Sequence, residues 1–450
     1  MTERFHFIGV GGSGMSAVAR LVAARGVDVS GSDRGESAYF LALLDAGMDV
    51  RVGHDPAMVD GASVVVVSTA IRESNPELER ARERGISVWH RSEALVWALD
   101  GQRLIAVAGS HGKTTTSAMT AHLLHACGID ASFAVGARVF GIDGAVAGGY
   151  AGSSGIAVVE ADESDGSFLR YAPEVAILTS IEPDHLDYYG TVEALQEAFA
   201  ALAASAGTLV AYAGDDVVVD IARRAEALGT RVLTYGERAD VVVTDVGVST
   251  ASGDFAMTVP FPGRHNRLNA AAAWAAAVQM GADPGAAARA MASFGGTGRR
   301  FQVRGEAAGV RVIDDYAHHP TEVAAVLAAA REAGAEHLVV LFQPALFTRT
   351  AEHSAAFGAA LSIADADIVL APIHGDREDP IEGVNSDLIA SAAAMPLGST
   401  IAVAESLEAA AALAAARATP GSTVLTVGSG TVTRAADWIL DALASGGGAA

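Results

Sequence analysis

Gly109-Ser110-His111-Gly112-Lys113-Thr114-Thr115-Thr116 follows directly on the apolar run Leu104-Ile105-Ala106-Val107-Ala108. A buried strand here runs into a glycine-bearing turn, and the turn into a helix with Met119, Leu123 and Leu124 on one side. That order builds a phosphate cradle. Glycines let backbone N–H groups approach phosphate oxygens, and the helix N-terminus adds a favourable dipole. Lys113 supplies a mobile positive charge, and Thr114 is placed to hold Mg²⁺. The spacing is GxxGKT, since Val107 stands where the longer GxxxxGK[ST] pattern would have its first glycine. Gly109, Ser110, His111, Gly112, Lys113, Thr114 and Thr115 are therefore the candidate nucleotide contacts. A structural glycine turn with an exposed lysine is the plainer alternative, and the order of strand, glycines, Lys-Thr and helix speaks against it.

A length of 450 residues suggests three domains, at roughly 150 residues each. Half the residues are apolar and 18% are charged, which suits large cores and excludes a disordered chain. The balance of 30 basic against 53 acidic residues gives a net charge of −23. Such a surface repels nucleic acid and anionic lipid, so neither is expected as a partner, and any site for an anion must be locally basic. The one cysteine, Cys127, reads as a core residue and fits a reducing cytoplasm. The chain enters a strand at Phe5, Phe7 and Ile8, which leaves no room for a signal peptide. The Ala-rich stretch from Ala270 to Val278 is too short for a bilayer span, which needs about 20 residues.

Three α/β segments follow one another. Residues 1–98 read as strands at Arg4–Val10, Val27–Ser30, Ser63–Ser68 and Ile86–Trp89, with helices at Met15–Arg25 and Glu77–Arg84, hence a parallel Rossmann-like sheet. Residues 99–305 restart with the phosphate loop and continue with strands Ile156–Glu160 and Val175–Thr179 and a helix from Val192 to Ala203. Asp240–Val248 and Ala256–Val259 read as an antiparallel addition, making a P-loop-ATPase-like mixed sheet, and a helix starts near Asn266. The glycines from Gly295 to Gly298 mark a boundary. Residues 306–450 alternate again, with strands Val310–Asp314, His337–Phe342, Ile368–Ala371 and Thr423–Val427, a second Rossmann-like domain. The tail Ser445 to Ala450 is small and reads as frayed.

In the first segment Gly9-Val10-Gly11-Gly12-Ser13-Gly14 matches GxGxxG, with Asp33 ending the next strand. This fits a nicotinamide dinucleotide or any other diphosphate at a helix N-terminus. The acids Glu160-Ala161-Asp162-Glu163-Ser164-Asp165, and the stretch from Thr179 to Asp187 containing Asp184-His185, lie at strand C-termini, where parallel sheets carry their sites. Mg²⁺ prefers carboxylate oxygens, so Glu160 is the first metal candidate and His185 the next. Asn266 and Asn269 sit three apart on one helix face, able to bond a base or to cap the helix. Arg299-Arg300 suits developing phosphoryl charge or is a plain surface pair. Asp314-Asp315-Tyr316-Ala317-His318-His319 offers paired acids and histidines but no third soft ligand for zinc.

Taken together, the chain closely resembles the Mur ligases over nearly its whole length. The resemblance rests on GVGGSGM at 9–15, GSD at 31–33, STAI with NPE at 68–77, GSHGKTTT, EADESDGSF, DHLD at 184–187, GRHNRLN, GRRF, DDYAHHPTEV and FQPALFTRT, in that order. It implies three domains: 1–98 for a UDP-sugar, 99–305 for ATP and Mg²⁺, and 306–450 for an amino acid. The glycine fingerprint, with Gly11, Gly12, Ser13, Gly14, Asp33 and Ser68, would then hold UDP-N-acetylmuramate. Lys113 would be a phosphate ligand, Thr114, Glu160 and His185 the metal neighbourhood, and Asn266 and Asn269 nucleotide contacts. Arg300 and Asp315 would complete the ATP site, and Lys113, Glu160, His185 and Arg300 would carry catalysis. The implied reaction converts the muramyl carboxylate to an acyl phosphate, which the amine of an amino acid then attacks. His318 or His319 is placed to take the amine proton, and domain closure would exclude water. Some positions depart from the family pattern: Ser180 for asparagine, Ala317 for glycine and Thr431 for aspartate. In Gln343-Pro344-Ala345-Leu346-Phe347-Thr348-Arg349-Thr350 the usual His-Arg is Ala345-Leu346, which leaves Arg349 as carboxylate anchor and opens the acceptor to L-alanine, glycine or serine. The competing readings are a recycling ligase of the same family that adds a whole peptide, a nicotinamide oxidoreductase, and a non-catalytic nucleotide-binding protein.

Overall fold

The computed structural model describes residues 3–363, 365–375 and 378–446. Three sheets follow in chain order. The first holds β1 (Arg4–Ile8), β2 (Asp28–Asp33), β3 (Asp49–Val52), β4 (Val64–Val67) and β5 (Ser87–His90), in spatial order β3-β2-β1-β4-β5. All its pairings are parallel. Its helices are α1 (Ser13–Ala24), α2 (Ala38–Asp45), α3 (Pro76–Glu83) and α4 (Arg91–Ala98). The order reverses at β1, so the crevice at the β1 C-terminus is the switch point, and Gly9–Gly12 lies there.

The second sheet holds β6 (Arg103–Ala108), β7 (Ser132–Ala134), β8 (Gly149–Tyr150), β9 (Ile156–Glu160), β10 (Val175–Leu178), β11 (Thr208–Tyr212), β12 (Arg231–Gly236), β13 (Val241–Thr244), β14 (Gly247–Thr250) and β15 (Gly253–Ala256). Its order is β15-β14-β13-β12-β11-β10-β6-β9-β7-β8. β6 lies between β9 and β10, both parallel to it, and α5 (Lys113–Ala126) leaves its end. The interior of β6 is buried, which is why it reads as an unbroken apolar run. The antiparallel addition is a three-strand meander. A turn at Asp245–Val246 divides the span expected to be one strand from Asp240 to Val248, and β15 ends where the second was expected to begin.

These two sheets belong to one compact unit, Met1–Pro260 with Asn266–Thr297. One apolar cluster runs from Phe5 and Leu21 through Ala106, Val159 and Phe199 to Ala225. α1 packs directly on β8: a β carbon on Gly149 would lie 2.8 Å from the Ala17 Cα, so only glycine permits the approach. Cys127 is half-buried just beyond the end of α5 rather than in the core, because the helix stops there and the chain turns outward at Gly128.

The second unit, Phe261–His265 with Gly298–Ala450, carries the third sheet. It holds β16 (Gln302–Ala307), β17 (Val310–Asp315), β18 (His337–Phe342), β19 (Asp367–Leu370), β20 (Ile401–Val403) and β21 (Ser422–Val427), in order β16-β17-β21-β18-β19-β20. Only β16 runs antiparallel, with a bulge between Val303 and Gly305. The last helix continues through Ser445 to Gly446, so it takes in the start of the expected frayed tail, and 447–450 lie outside the described residues. No described helix is long and apolar enough to cross a membrane.

Candidate functional site

The loop between β6 and α5 is clamped by the chain that leaves β10. Gly109 has φ +128°, and a β carbon there would stand 2.2 Å from Thr179 Oγ1. Ser110 N–H donates to the Ser180 carbonyl at 2.7 Å, and Glu182 N–H donates to Ser110 Oγ at 2.8 Å. Thr179 Oγ1 donates to the His111 carbonyl at 2.5 Å, and Ser180 Oγ accepts the His111 N–H at 3.3 Å. The serine that departs from the family pattern thus still braces the loop. Gly112 is left-handed at φ +81°, and Asn269 Oδ1 lies 2.6 Å from where its β carbon would be. Asn266 and Asn269 are both buried, as are Thr114 and Thr115 in the first turn of α5.

Lys113 curls back over the loop. Its Nζ donates to the Gly109 carbonyl at 2.6 Å and to Glu163 Oε1 at 2.9 Å. Burial disfavours the ammonium, but Glu163, Asp162 and Glu160 outweigh it and raise the lysine above its ordinary range. Burial pushes the Glu163 carboxyl up, against the pull of Lys113. Burial also works against ionised Asp162, yet Lys113, the Ser164 N–H, Arg91 and His185 bring it below the usual carboxylate range.

At the end of β9, Glu160 Oε1 accepts the Thr114 hydroxyl at 2.9 Å and Oε2 accepts the Gly136 N–H at 2.7 Å. A hydroxyl and a carboxylate side by side at the mouth of the phosphate loop are hard oxygen donors, and this set fits Mg²⁺. His185 has left-handed backbone at φ 54° and begins the short helix Leu186–Tyr189, with Nε2 3.7 Å from Asp184 Oδ2. It contributes to the field on Asp162 but forms no hydrogen bond or ion pair with Glu160.

The first cradle is built the same way. Gly9 and Val10 N–H groups donate to the Ser32 carbonyl at 2.8 and 3.0 Å. Asp33 Oδ2 accepts the Gly11 N–H at 2.8 Å, and Ser37 Oγ donates to the Gly11 carbonyl at 2.7 Å. Asp33 therefore holds the loop in shape with one of its oxygens. Gly12 precedes Ser13 and Gly14 as N-cap of α1 and makes no side-chain cap, so the first N–H groups of the helix face the crevice uncapped. Ser68 follows β4 at the same sheet edge, where its carbonyl accepts the Ile71 N–H at 3.0 Å.

In the second unit the two adjacent arginines share one aromatic face. Arg299, at φ 60°, is spent on structure: Nε donates to Asp314 Oδ2 at 3.2 Å and Nη1 to the Ser429 carbonyl at 3.1 Å. Both guanidinium groups lie over the Tyr316 ring, Arg299 at 5.0 Å and Arg300 at 5.1 Å from its centroid. Asp315 accepts N–H bonds from Ala317 at 2.8 Å and Phe301 at 2.7 Å. Burial pushes its carboxyl up to about 6, with Arg300 opposing. Both acids of the pair are thus committed inside the protein, which removes them as zinc ligands.

His318 Nδ1 lies 3.1 Å from the Tyr316 carbonyl, so it carries the proton and leaves Nε2 as the basic nitrogen. Burial brings this histidine down to about 4, against the pull of Glu322 and with the support of Arg349 and Arg300. A ring held neutral so firmly suits accepting a hydrogen bond better than storing a proton. His319 is buried ahead of the helix Pro320–Glu332, where Glu322 Oε2 accepts the N–H groups of His318 at 3.0 Å and His319 at 3.3 Å. Arg349 stands in the first turn of the helix Phe347–Ser362. Before it, Ala345 is buried and bridges to His374, and Leu346 takes φ 67°.

Sequence reasoning grouped Thr114 with Glu160, and these two side chains are hydrogen-bonded; it did not foresee that Asn269 lies against Gly112. It missed Glu163 as the partner of Lys113, although the acid run pointed to the right loop. It marked the stretch that begins at Thr179 but missed that Thr179 itself braces the loop, since a threonine at a strand end is common.

Three family profiles match the chain: "Mur ligase family, catalytic domain" over 4–103, "Mur ligase middle domain" over 107–277, and "Mur ligase, glutamate ligase domain" over 299–430. A UDP-N-acetylmuramate–L-alanine ligase of Renibacterium salmoninarum is 48% identical over 465 residues, covering 98% of this chain and 96% of that protein. One of an Arthrobacter species is 51% identical over 400 residues, covering 86% and 84%. The crystal structure of a UDP-N-acetylmuramate-alanine ligase from Thermotoga maritima superimposes with a TM-score of 0.82 at 27% identity, covering 98% of this chain and 99% of that one. A murein peptide ligase from Psychrobacter arcticus, with the same coverage, gives 0.72 at 25% identity.

Proposed function

We propose that this chain, which belongs to the Mur ligase family, joins L-alanine to the carboxylate of UDP-N-acetylmuramate at the expense of ATP, in the synthesis of peptidoglycan precursors in the cytoplasm. The observation that carries the reading is the pairing, within one compact unit, of two anion cradles, each at the switch point of its own sheet. One is Gly9–Gly14; the other is Gly109–Gly112 with Lys113, Thr114 and Glu160. The relatives named as alanine ligases and the higher TM-score to such a structure favour a single amino acid over a whole peptide. Two phosphate cradles and the family matches likewise disfavour an oxidoreductase or a mere nucleotide binder.

In this reading residues 1–98 bind the UDP-sugar, 99–305 bind ATP and 306–450 bind the amino acid. Lys113 leaves Glu163 for the phosphates of ATP, and the loop N–H groups hold the leaving ADP oxygens. The muramyl carboxylate attacks the γ-phosphorus, the bond to ADP breaks, and an acyl phosphate forms. The uncharged amine then attacks the acyl carbon, the bond from that carbon to the phosphate oxygen breaks, and the proton lost from nitrogen leaves on the released phosphate. Thr114 and Glu160 would hold Mg²⁺, with His185 nearby, and the ion supplies charge neutralisation when bound. Arg300 answers phosphoryl charge, Arg349 pairs with the amino-acid carboxylate, and His318 Nε2 accepts a hydrogen bond from the amine. No enzyme nucleophile is needed, and catalysis is positioning and electrostatics.

Phosphate release from ATP, measured with alanine, glycine and serine in the presence and absence of UDP-N-acetylmuramate, tests the proposal. Release that needs both substrates, and is fastest with L-alanine, is expected. No release with any amine would overturn it.

A further inference from the structure

Arg91 is the first residue of α4, and its backbone is held from both sides. His90 Nδ1 accepts the Ser92 N–H, and Glu93 Oε2 accepts the His90 N–H at 2.7 Å, a reciprocal cap. His90 Nε2 also lies 3.3 Å from Asp165 Oδ2, and Glu93 Oε1 accepts from Arg170 Nη1 at 3.3 Å. The start of α4 thus lies against the segment from Asp165 to Arg170 beyond β9, with Arg170 as its hydrogen-bond donor.

From this fixed point the Arg91 side chain crosses to the first turn of α1. A β carbon on Gly14 would stand 2.2 Å from its Nη1, 3.3 Å from Cζ and 3.6 Å from Cδ, so the guanidinium lies on the Gly14 backbone. The side chain is half-buried, and among the described residues it makes no hydrogen bond and no ion pair. Asp162 feels its charge only from beyond ion-pair distance.

That placement is electrostatically unfavourable on its own. A cation at the start of α4 and against the first turn of α1 meets the positive ends of two helices. Partly buried guanidinium groups are ordinarily paired, since their donors are costly to leave without acceptors. An anion against the uncapped start of α1 would satisfy the helix and the fork of donors together. Arg91 reaches the glycine cradle at Gly14 and forms no hydrogen bond or ion pair with the described residues of the Lys113 loop, so the anion it meets is the one the first cradle holds.

We propose that Arg91 is a ligand of the sugar-nucleotide diphosphate and sets its position on the cradle, an inference that rests on reading Gly9–Gly14 as the UDP site. Titration of UDP and of uridine into the wild-type chain, R91A and R91K tests it. Charge-assisted bonds of this kind imply that R91A binds UDP about 10- to 100-fold more weakly, with uridine affinity unchanged. R91K, which keeps charge but loses the fork, falls between. ADP binding at the Lys113 loop stays as in wild type, and the KM for UDP-N-acetylmuramate rises while kcat changes little. Equal UDP affinity in wild type and R91A would overturn the proposal, as would equal weakening of UDP and uridine. Should R91A not fold, R91K decides: wild-type UDP affinity in that variant counts against the role. A wild-type chain that binds ADP but not UDP would instead refute the cradle reading itself, and the proposal with it.

Discussion

Replacing Lys113 with methionine keeps the length of the side chain and removes its charge. Glu163 is 2% exposed and faces the ammonium with Oε1 at 2.9 Å and Oε2 at 2.8 Å. Without that cation, an ionised Glu163 is a buried charge with no counter-ion, which costs about 3–5 kcal/mol. The carboxyl escapes part of this cost by taking up a proton. Burial already raises its pKa, and the substitution removes the main force that lowers it. A folded pKa above the unfolded value means that the cost is absent at low pH and grows as pH rises through the folded pKa. The K113M penalty is therefore expected to be near its full size at pH 8 and much smaller at pH 5. Urea unfolding followed by fluorescence reads it directly, because Trp89, Trp97 and Trp274 lie in the first unit and Trp438 in the second. Adding E163Q should recover most of the stability at pH 8 while nucleotide binding stays lost. A penalty that is equal at both pH values, or additive losses in the double variant, would refute the reasoning.

Glu160→Gln keeps the shape beside Thr114 and removes the charge; kcat should fall about 100-fold or more, and half-activation should need more Mg²⁺, with unfolding little changed. Arg349→Ala should raise the amino-acid KM about 10-fold or more and leave that for ATP in place; equal effects on both would remove Arg349 as the anchor. Asp315 and His318 carry opposite pH dependences. Ionisation of Asp315, pushed up to about 6, costs stability as pH rises from 4 to 6, whereas His318, held at about 4, costs stability as pH falls from 6.5 to 4. Each is worth about 3 kcal/mol across its window, so they nearly offset. H318N should make the second unit gain stability from pH 7 to pH 4.5, and D315N should make it lose stability, as followed at Trp438; the same slope in both variants would contradict this.

The strand-turn-helix at Gly109 was legible because a wholly buried strand leaves an apolar run and a tight anion loop demands glycine. The same holds for β9 and β10, whose polar ends mark the site edge. The edge strand β3 was not legible, since only Val50 in Asp49–Val52 is buried and no alternation results. β16 escaped similarly, as a bulged antiparallel edge. Adjacent arginines look alike in a sequence. Only the fold shows that Arg299, with left-handed backbone like Phe301, reaches Asp314 while both guanidinium groups lie over Tyr316. Glu160 and Glu163 differ in the same way: the strand end points one toward Thr114, and the loop beyond brings the other under Lys113. Arg91 gave no local signal at all, because its contact is with a glycine from a distant part of the chain.

The central claim is that the muramyl carboxylate is phosphorylated before the amine attacks. UDP-N-acetylmuramate labelled with ¹⁸O in that carboxylate tests it most directly, with the released phosphate examined by mass spectrometry after turnover with ATP and L-alanine. One labelled oxygen in the phosphate is the predicted result. Phosphate free of label, alongside formed product, would contradict the account.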